Sequence, residues 1–476
     1  MMAFGMTFTI ITSVLFWSVM LVVLMRILRE GGLRATSATR NMYKRGLSYR
    51  PKRPFRINPR VHSTRPYLLH IRLQRLRQAH KRIIRMPALK PLTLKKHTKP
   101  SSGLVIFLFS LGVRLAFLAG VFVLLWVQTG YSPGLAAVFD ASLGWDNYAM
   151  IAQRGYAYTE EGQNLYLVFF PLYIYLIRIV ALVVRDHLAA AFIVAFASYS
   201  AGVYYLHRLV RLDFSNSTAW WAVVLISIAP VGFFFGSPMT ESLMLLTSAA
   251  TLYYIRTHRW ALAGVAGALA SFTRLVGILL VLAAIVEFVT HYKFIELVRK
   301  ARWDYVWSLV SGKGLWIFVM PVGTLTYLFI NWYVSGNPFQ FVHYQSTHWH
   351  NHTQYFGRTI YSQFNILTLD ISAEAAHGVH LPNILAFAFG ITLLVYGCLK
   401  KHNAAYIVYA LGYIMVSFAP SWLLAGARYM LVCLPLFIFL AEFVDKKPLR
   451  AVVVTALFVA GLLPLFSIFV RGGWVF

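Results

Sequence analysis

The sequence predicts an all-α protein, a bundle of helices that crosses a membrane many times, and three observations carry that prediction. Of the 476 residues, 59% are hydrophobic and 12% charged, where a soluble domain carries about a quarter charged residues to cover its surface. Apolar runs of ~20 residues, the length that crosses a hydrocarbon core of about 30 Å, recur along the whole chain. The charges are mostly basic, 44 Lys and Arg against 15 Asp and Glu, and they gather at alternate connections, as cytoplasmic loops do.

The first apolar run, Phe4 to Met25, has no preceding basic stretch and no small-residue cleavage site. It reads as a retained helix within residues 1–28 and not as a cleaved leader. Between Arg26 and Lys99 stand 22 of the 44 Lys and Arg and a single acid, Glu30. A stretch this basic resists translocation and is drawn to anionic lipid, so residues 29–102 are expected in the cytoplasm and the N-terminus outside. Within it Leu69, Leu73, Leu76, His80 and Ile83 recur at helical spacing among Arg72, Arg75, Arg77, Lys81 and Arg82. That pattern reads as an amphipathic helix resting on anionic membrane lipids, with an anionic protein partner as the alternative. Aromatics that could interleave with bases are sparse, and no nucleic-acid partner is expected.

Residues 103–476 form the predicted core. Leu104 to Val127 leads outward to a long outer loop, residues 128–187. Leu188 to Leu206 returns to His207, Arg208 and Arg211; Thr218 to Gly236 exits to the turn SPMTES; Leu243 to Ile255 comes back to Arg256, His258 and Arg259. Ala261 to Thr290 is too long for one crossing, yet both its flanks are basic. This predicts two short helices meeting near Thr273 and Arg274, with an unwound tip at the outer half of the membrane. Leu315 to Val334 exits to a second outer loop, residues 335–382, and four further runs between Ile384 and Val470 complete about twelve crossings with both termini outside. Phe169 to Val184 carries Arg178 at its centre and would break the alternation. It is expected to lie at the outer interface with Arg178 reaching towards headgroups.

With 15 acids in the chain, any acid near a membrane boundary stands out, because a buried carboxylate is costly unless paired or wet. Asp140 and Asp146 stand in the first outer loop, and either could take a proton from an incoming hydroxyl. Glu241, in SPMTES, either caps the following helix, where an acid suits the macrodipole, or works beside Asp146 on a substrate. Arg274 is a cation in an apolar hairpin and requires an anion or an aqueous cavity, and its planar fork suits a phosphate. Arg428, in GARY, is a second such cation at the same predicted face. His343, His348, His350 and His352 lack the spacing and the acid or Cys partners of a metal site, so no metal is expected, and Tyr344 and Trp349 read as sugar contacts. Cys398 and Cys433 lie in apolar stretches and read as small core residues.

Taken together, Trp145–Asp146, IAQRGY at 151–156, FFPLY at 169–173, MTESL at 239–243 and FTRLVGI at 272–278 resemble the GPI mannosyltransferase II (PIG-V-like) family. GNPFQF at 336–341, followed by Gln345 and Trp349, and ARYMLVCLP at 427–435 resemble the bacterial relatives of that family. A bacterial plasma membrane is therefore the expected location, ahead of the endoplasmic reticulum. The resemblance runs from about Leu104 to the C-terminus and implies a GT-C-like fold. It also implies transfer of a sugar, mannose first, from a polyprenyl phosphate donor to a lipid-linked or glycan acceptor, with no cofactor required. By motif it implies catalytic roles for Asp146 and Glu241 and substrate contacts for Trp145, Tyr156, Arg274, Gln345, Trp349 and Arg428. Four residues separate Asp146 from Ile151, where the family usually has about six, which keeps Asp140 open as the counterpart.

The rival readings are a transporter or lipid flippase, with Arg274 and Glu241 lining a path through the bilayer, and a scaffold that binds partners through the basic segment.

Overall fold

In lipid every backbone N–H and C=O must be bonded within its own segment, so apolar segments without breakers become helices. The computed structural model describes residues 17–30, 103–142, 147–156, 164–369 and 371–475. Among these residues helices form all the regular structure, and extended backbone pairs only at an isolated bridge between Thr353 and Pro420. The apolar start before Trp17, the basic residues 31–102 with the helix expected at 69–83, and Trp145 and Asp146 lie outside the described residues.

In chain order the helices used below are α1 (Trp17–Leu28), α2 (Gly103–Thr129), α3 (Tyr148–Arg154), α4 (Pro171–Val184), α5 (His187–Val210), α6 (Asn216–Ser227) and α7 (Glu241–Arg256). They continue with α8 (Trp260–Thr273), α9 (Leu280–His291), α10 (Val322–Ser335), α11 (Phe356–Leu367), α12 (Leu381–Leu399), α13 (Ala404–Ser417), α14 (Gly426–Met430), α15 (Leu434–Val444) and α16 (Pro448–Val470). Four helices among the described residues are long and apolar enough to cross a membrane: α2, α5, Ala373–Leu399 and α16. A fifth span is broken, Trp303–Val319 and α10 meeting at 44°, where Pro321 lacks the N–H needed to continue the helix. The other expected crossings are shorter helices, and the chain that reads as multi-pass does so through a mixture of full and interrupted spans.

The hairpin expected between Arg259 and Lys293 is present. α8 ends at Thr273, Arg274 is extended (φ −156°, ψ 150°), and a 3-10 turn Leu275–Leu279 leads into α9. Its two feet touch: Trp260 Nε1 donates to Tyr292 Oη at 2.9 Å and the rings of His258 and His291 stack at 3.5 Å. At the tip a Cβ on Gly277 would stand 2.2 Å from the Ala270 carbonyl oxygen and 2.6 Å from Ser271 N. Glycine therefore lets the chain reverse within one turn. Gly277→Ala is expected to cost about 1–3 kcal/mol, the range for forced overpacking, read as a lower thermal midpoint in detergent; an unchanged midpoint would show that the tip can relax.

α7 is the central helix, packed on α5, α8 and α9, with its serines and threonines buried. Thr247 and Thr251 return their hydroxyls to the carbonyls of Leu243 and Thr247, which makes them tolerable there. Its far end gathers the basic connections: Arg256 bonds Asp213 at 2.6 Å and Glu287 at 2.8 Å, and Asn403 bonds Glu287 at 3.1 Å.

At the same end Asp445 joins α15 to α6, accepting from Ser215 Oγ (3.1 Å), Ser217 Oγ (2.7 Å) and Thr218 Oγ1 (2.7 Å). Partial burial pushes the Asp445 pKa up, and the three hydroxyl donors outweigh it and hold it below the ordinary carboxylate value. A depressed folded pKa means stability that is present above the unfolded value of about 3.9 and lost as pH falls through the folded one. The stability gap between wild type and Asp445→Asn should be constant near neutrality and narrow below about pH 4, measured by thermal melts across pH.

In α4, Tyr173, Ile174 and Ile177 are buried, and Arg178, expected to reach towards headgroups, donates Nε to the Ala152 carbonyl at 2.6 Å. An unbonded carbonyl at the end of α3 is a nearer acceptor than a headgroup. Tyr156, expected to touch substrate, is buried in the cluster around Tyr173 and gives its hydroxyl to Phe169 O at 2.9 Å. Its polar atom is spent on the loop.

Candidate functional site

Three of the residues singled out from the sequence meet at the end of α7 opposite Arg256. The chain passes Ser237 and Pro238 outside any helix, and α7 begins at Glu241. Glu241 is 1% exposed. Its Oε1 accepts from Arg274 Nη1 at 2.7 Å and lies 3.3 Å from Arg428 Nε, while Oε2 has no hydrogen-bond partner. A carboxylate taken out of water is stabilised this way, and the N-terminal end of α7 adds a favourable field.

Each arginine is fixed by a break in its own helix. Arg274 is carried by the extended hairpin tip, and its guanidinium carbon lies 4.7 Å from the centre of the Tyr429 ring. Arg428 sits on the short helix α14, 5.1 Å from the Phe234 ring centre, with Nη1 3.5 Å from Met239 Sδ. The turn before α14 is clamped from α11 and α12. Asn383 Nδ2 donates to Leu423 O at 3.0 Å, its Oδ1 accepts from Ala427 N at 3.0 Å, and Gln363 Nε2 donates to Leu423 O at 3.2 Å. α11 and α12 therefore set where Arg428 stands.

The result is two guanidinium groups on one carboxylate, one positive charge in excess, in a largely desolvated setting. Such a cluster can hold an anion with several planar N–H donors and is pre-ordered to do so, because the arginines are already positioned before the anion arrives.

The segment between α2 and α5 comes to the same region. Tyr148, at the start of α3, lies within electrostatic reach of Arg274, and Tyr175 of α4 stacks on Phe272 with ring centres 6.2 Å apart. Asp146 precedes Tyr148 by two residues in the chain. Asp140 is exposed at the end of Leu135–Ala141. Gln345 and Trp349 stand on and after the helix Gln340–Thr347. Among the described residues no hydrogen bond or ion pair links either to the Glu241 cluster; Gln345 O accepts from Asn351 N at 2.9 Å and Trp349 is 38% exposed.

Sequence reasoning missed Phe234 and Tyr429, whose rings face the guanidinium groups, and Asn383 and Gln363, which hold the Arg428 turn. The aromatic triplet Phe233–Phe235 ahead of SPMTES and the tyrosine inside GARY were the available signals. Nothing in the spacing of Asn383 or Gln363 marks them.

A family model described as dolichyl-phosphate-mannose-protein mannosyltransferase matches residues 170–331, a stretch that contains Glu241 and Arg274 and ends before Arg428. No curated protein sequence matches the chain. Among solved structures, ArnT from Cupriavidus metallidurans bound to undecaprenyl phosphate is similar at 16% identity over 78% of this chain and 75% of that one, with a TM-score of 0.45. An apo structure of ArnT from the same organism is similar at 16% identity over 71% and 62%, with a TM-score of 0.42. The Archaeoglobus fulgidus oligosaccharyltransferase tethered with an acceptor peptide is similar at 12% identity over 76% of this chain and 55% of that one, with a TM-score of 0.37.

Proposed function

We propose that this multi-pass membrane protein is a glycosyltransferase of the GT-C kind. It would move a hexose, mannose first, from a polyprenyl phosphate donor to a lipid-linked or glycan acceptor at the extracytoplasmic face. The observation that carries the reading is Glu241 buried between Arg274 and Arg428, a pre-ordered cationic cluster at the end of α7 away from the basic connections. The motifs shared with mannosyltransferases of the GPI type and the family match over residues 170–331 support the same class.

In this reading the donor's tail stays in lipid and its phosphate rests on Arg274 and Arg428. Asp146 takes the proton of the acceptor hydroxyl, whose oxygen forms a bond to the anomeric carbon from the side opposite the phosphate. The bond between that carbon and the phosphate oxygen breaks, and the polyprenyl phosphate leaves with the electron pair, so the sugar is inverted. The arginines meet the charge that grows on the leaving oxygen, which a metal would otherwise have to do. In this reading Glu241 positions the two arginines, which hold its Oε1. The sequence motif alone would place it among the catalytic groups.

The test is an assay of the purified chain with a panel of polyprenyl phosphate hexoses and lipid or glycan acceptors, read by product mass. A product heavier than its acceptor by one hexose, made with one donor, is the expected result. No transfer from any donor, together with movement of the intact lipid between leaflets, would replace this reading with the flippase.

A further inference from the structure

At the opposite end of α7 lies a cavity that the transfer chemistry does not use. α7 spans 16 residues, so at 1.5 Å per residue Arg256 stands about 24 Å along the axis from Glu241. The cavity there has a volume of about 310 Å³ and is lined by Arg26 of α1 and the following Glu30, by Arg256, by Lys401 and His402 between α12 and α13, and by Tyr406 among others. That volume is at the lower end of the range for small-ligand sites, roughly 300–1,000 Å³.

The acids around it are already engaged. Asp213 accepts from Arg256 Nη2 at 2.6 Å and from Tyr406 Oη at 3.2 Å, and Glu30 accepts from Arg26 Nε at 2.8 Å. The donors are not. Arg26 Nη2 bonds the Lys401 carbonyl at 2.8 Å, but its Nη1 is buried with no hydrogen-bond partner. His402 is 8% exposed, and its Nε2 also has none; Glu442 Oε2 lies 3.5 Å away and is itself bonded by Tyr396 Oη. Lys401 is exposed at the rim, its backbone in the left-handed region at φ 57°. Arg26, Lys401 and His402, from two separate chain segments, thus line one cavity whose carboxylates already accept from Arg256, Tyr406 and Arg26. Buried donors are bonded as a rule, so the buried Arg26 Nη1 at this cavity is suited to a group that brings acceptors.

We propose that this cavity binds the phosphate of an anionic phosphate ester on Arg26, Lys401 and His402, either as the headgroup of a membrane phospholipid or as free glycerol phosphate. A phosphate supplies several strong acceptors and a charge matched to the guanidinium and ammonium groups. Its attachment across α1 and the turn between α12 and α13 would tie the N-terminal helix to the core. The site is independent of the transferase reading and stands or falls without it.

The test uses the full chain in phosphatidylcholine nanodiscs at 1 M NaCl, where a Debye length of about 3 Å suppresses long-range attraction between the basic segment and anionic lipid. One arm adds phosphatidylglycerol and counts retained lipid by native mass spectrometry; the other titrates glycerol 3-phosphate calorimetrically. Arg26→Gln and Lys401→Gln are compared with wild type, the second removing no ion pair of the bundle. The expected result is binding in one arm that weakens about ten-fold in each variant, the loss of one charge-assisted contact, and the responding arm identifies the source. Binding in neither arm, or equal binding by wild type and both variants, overturns the proposal.

Discussion

Glu241→Gln is expected to lower stability by about 3–5 kcal/mol, the cost of breaking a buried ion pair from one side, and to remove most transfer activity. The amide can still accept from Arg274 but no longer cancels a charge, so Arg274 and Arg428 face each other across a neutral group. The measurement is a thermal midpoint in detergent beside initial rates of product formation. A double variant, Glu241→Gln with Arg428→Gln, separates the two effects. Removing one cation should restore part of the midpoint while activity stays low, because a phosphate contact has gone as well. If Glu241→Gln matched wild type in both measurements, the cluster would be neither a structural nor a functional centre.

Asp146→Asn is expected to reduce turnover by about 10²–10⁴-fold, the contribution of a positioned general base, with donor binding unchanged. Asparagine keeps the shape and loses the ability to take the acceptor's proton. Turnover against pH should rise with ionisation of one carboxyl in wild type and lose that limb in the variant. A variant within a few-fold of wild type would move the base elsewhere, and Asp140→Asn is the next substitution to assay. Because Arg274 and Arg428 are untouched, donor affinity checks that any loss belongs to the chemical step.

The two substitutions probe different links of the same chain of causes. Glu241 acts through the arginines it holds, so its replacement should weaken donor binding and turnover together. Asp146 would act on the acceptor proton alone. A pattern in which both raised KM with little change in kcat would assign both residues to substrate binding and move the base elsewhere.

The sequence by itself determined the helical membrane class and the hairpin tip at Arg274, while several runs read as single crossings, such as Leu315 to Val334, are broken in the structure. The class and the tip follow from local rules: apolar length, basic flanks that resist translocation, and prolines or an isolated arginine that interrupt a run. It also marked Glu241, Arg274 and Arg428 one at a time, because charges are rare in apolar segments and each needs a reason. Only the tertiary structure decided that these three form a single cluster, since their meeting depends on how α7, the α8–α9 tip and α14 pack across more than a hundred residues of chain. It also gave the polar groups of Tyr156 and Arg178 nearby backbone carbonyls as partners. The same packing brought Asn383 and Gln363 under the Arg428 turn and set Arg26 beside Lys401. Periodicity reports which face of a helix is apolar; the partner of a polar atom is fixed by distance in space, and sequence spacing does not contain it.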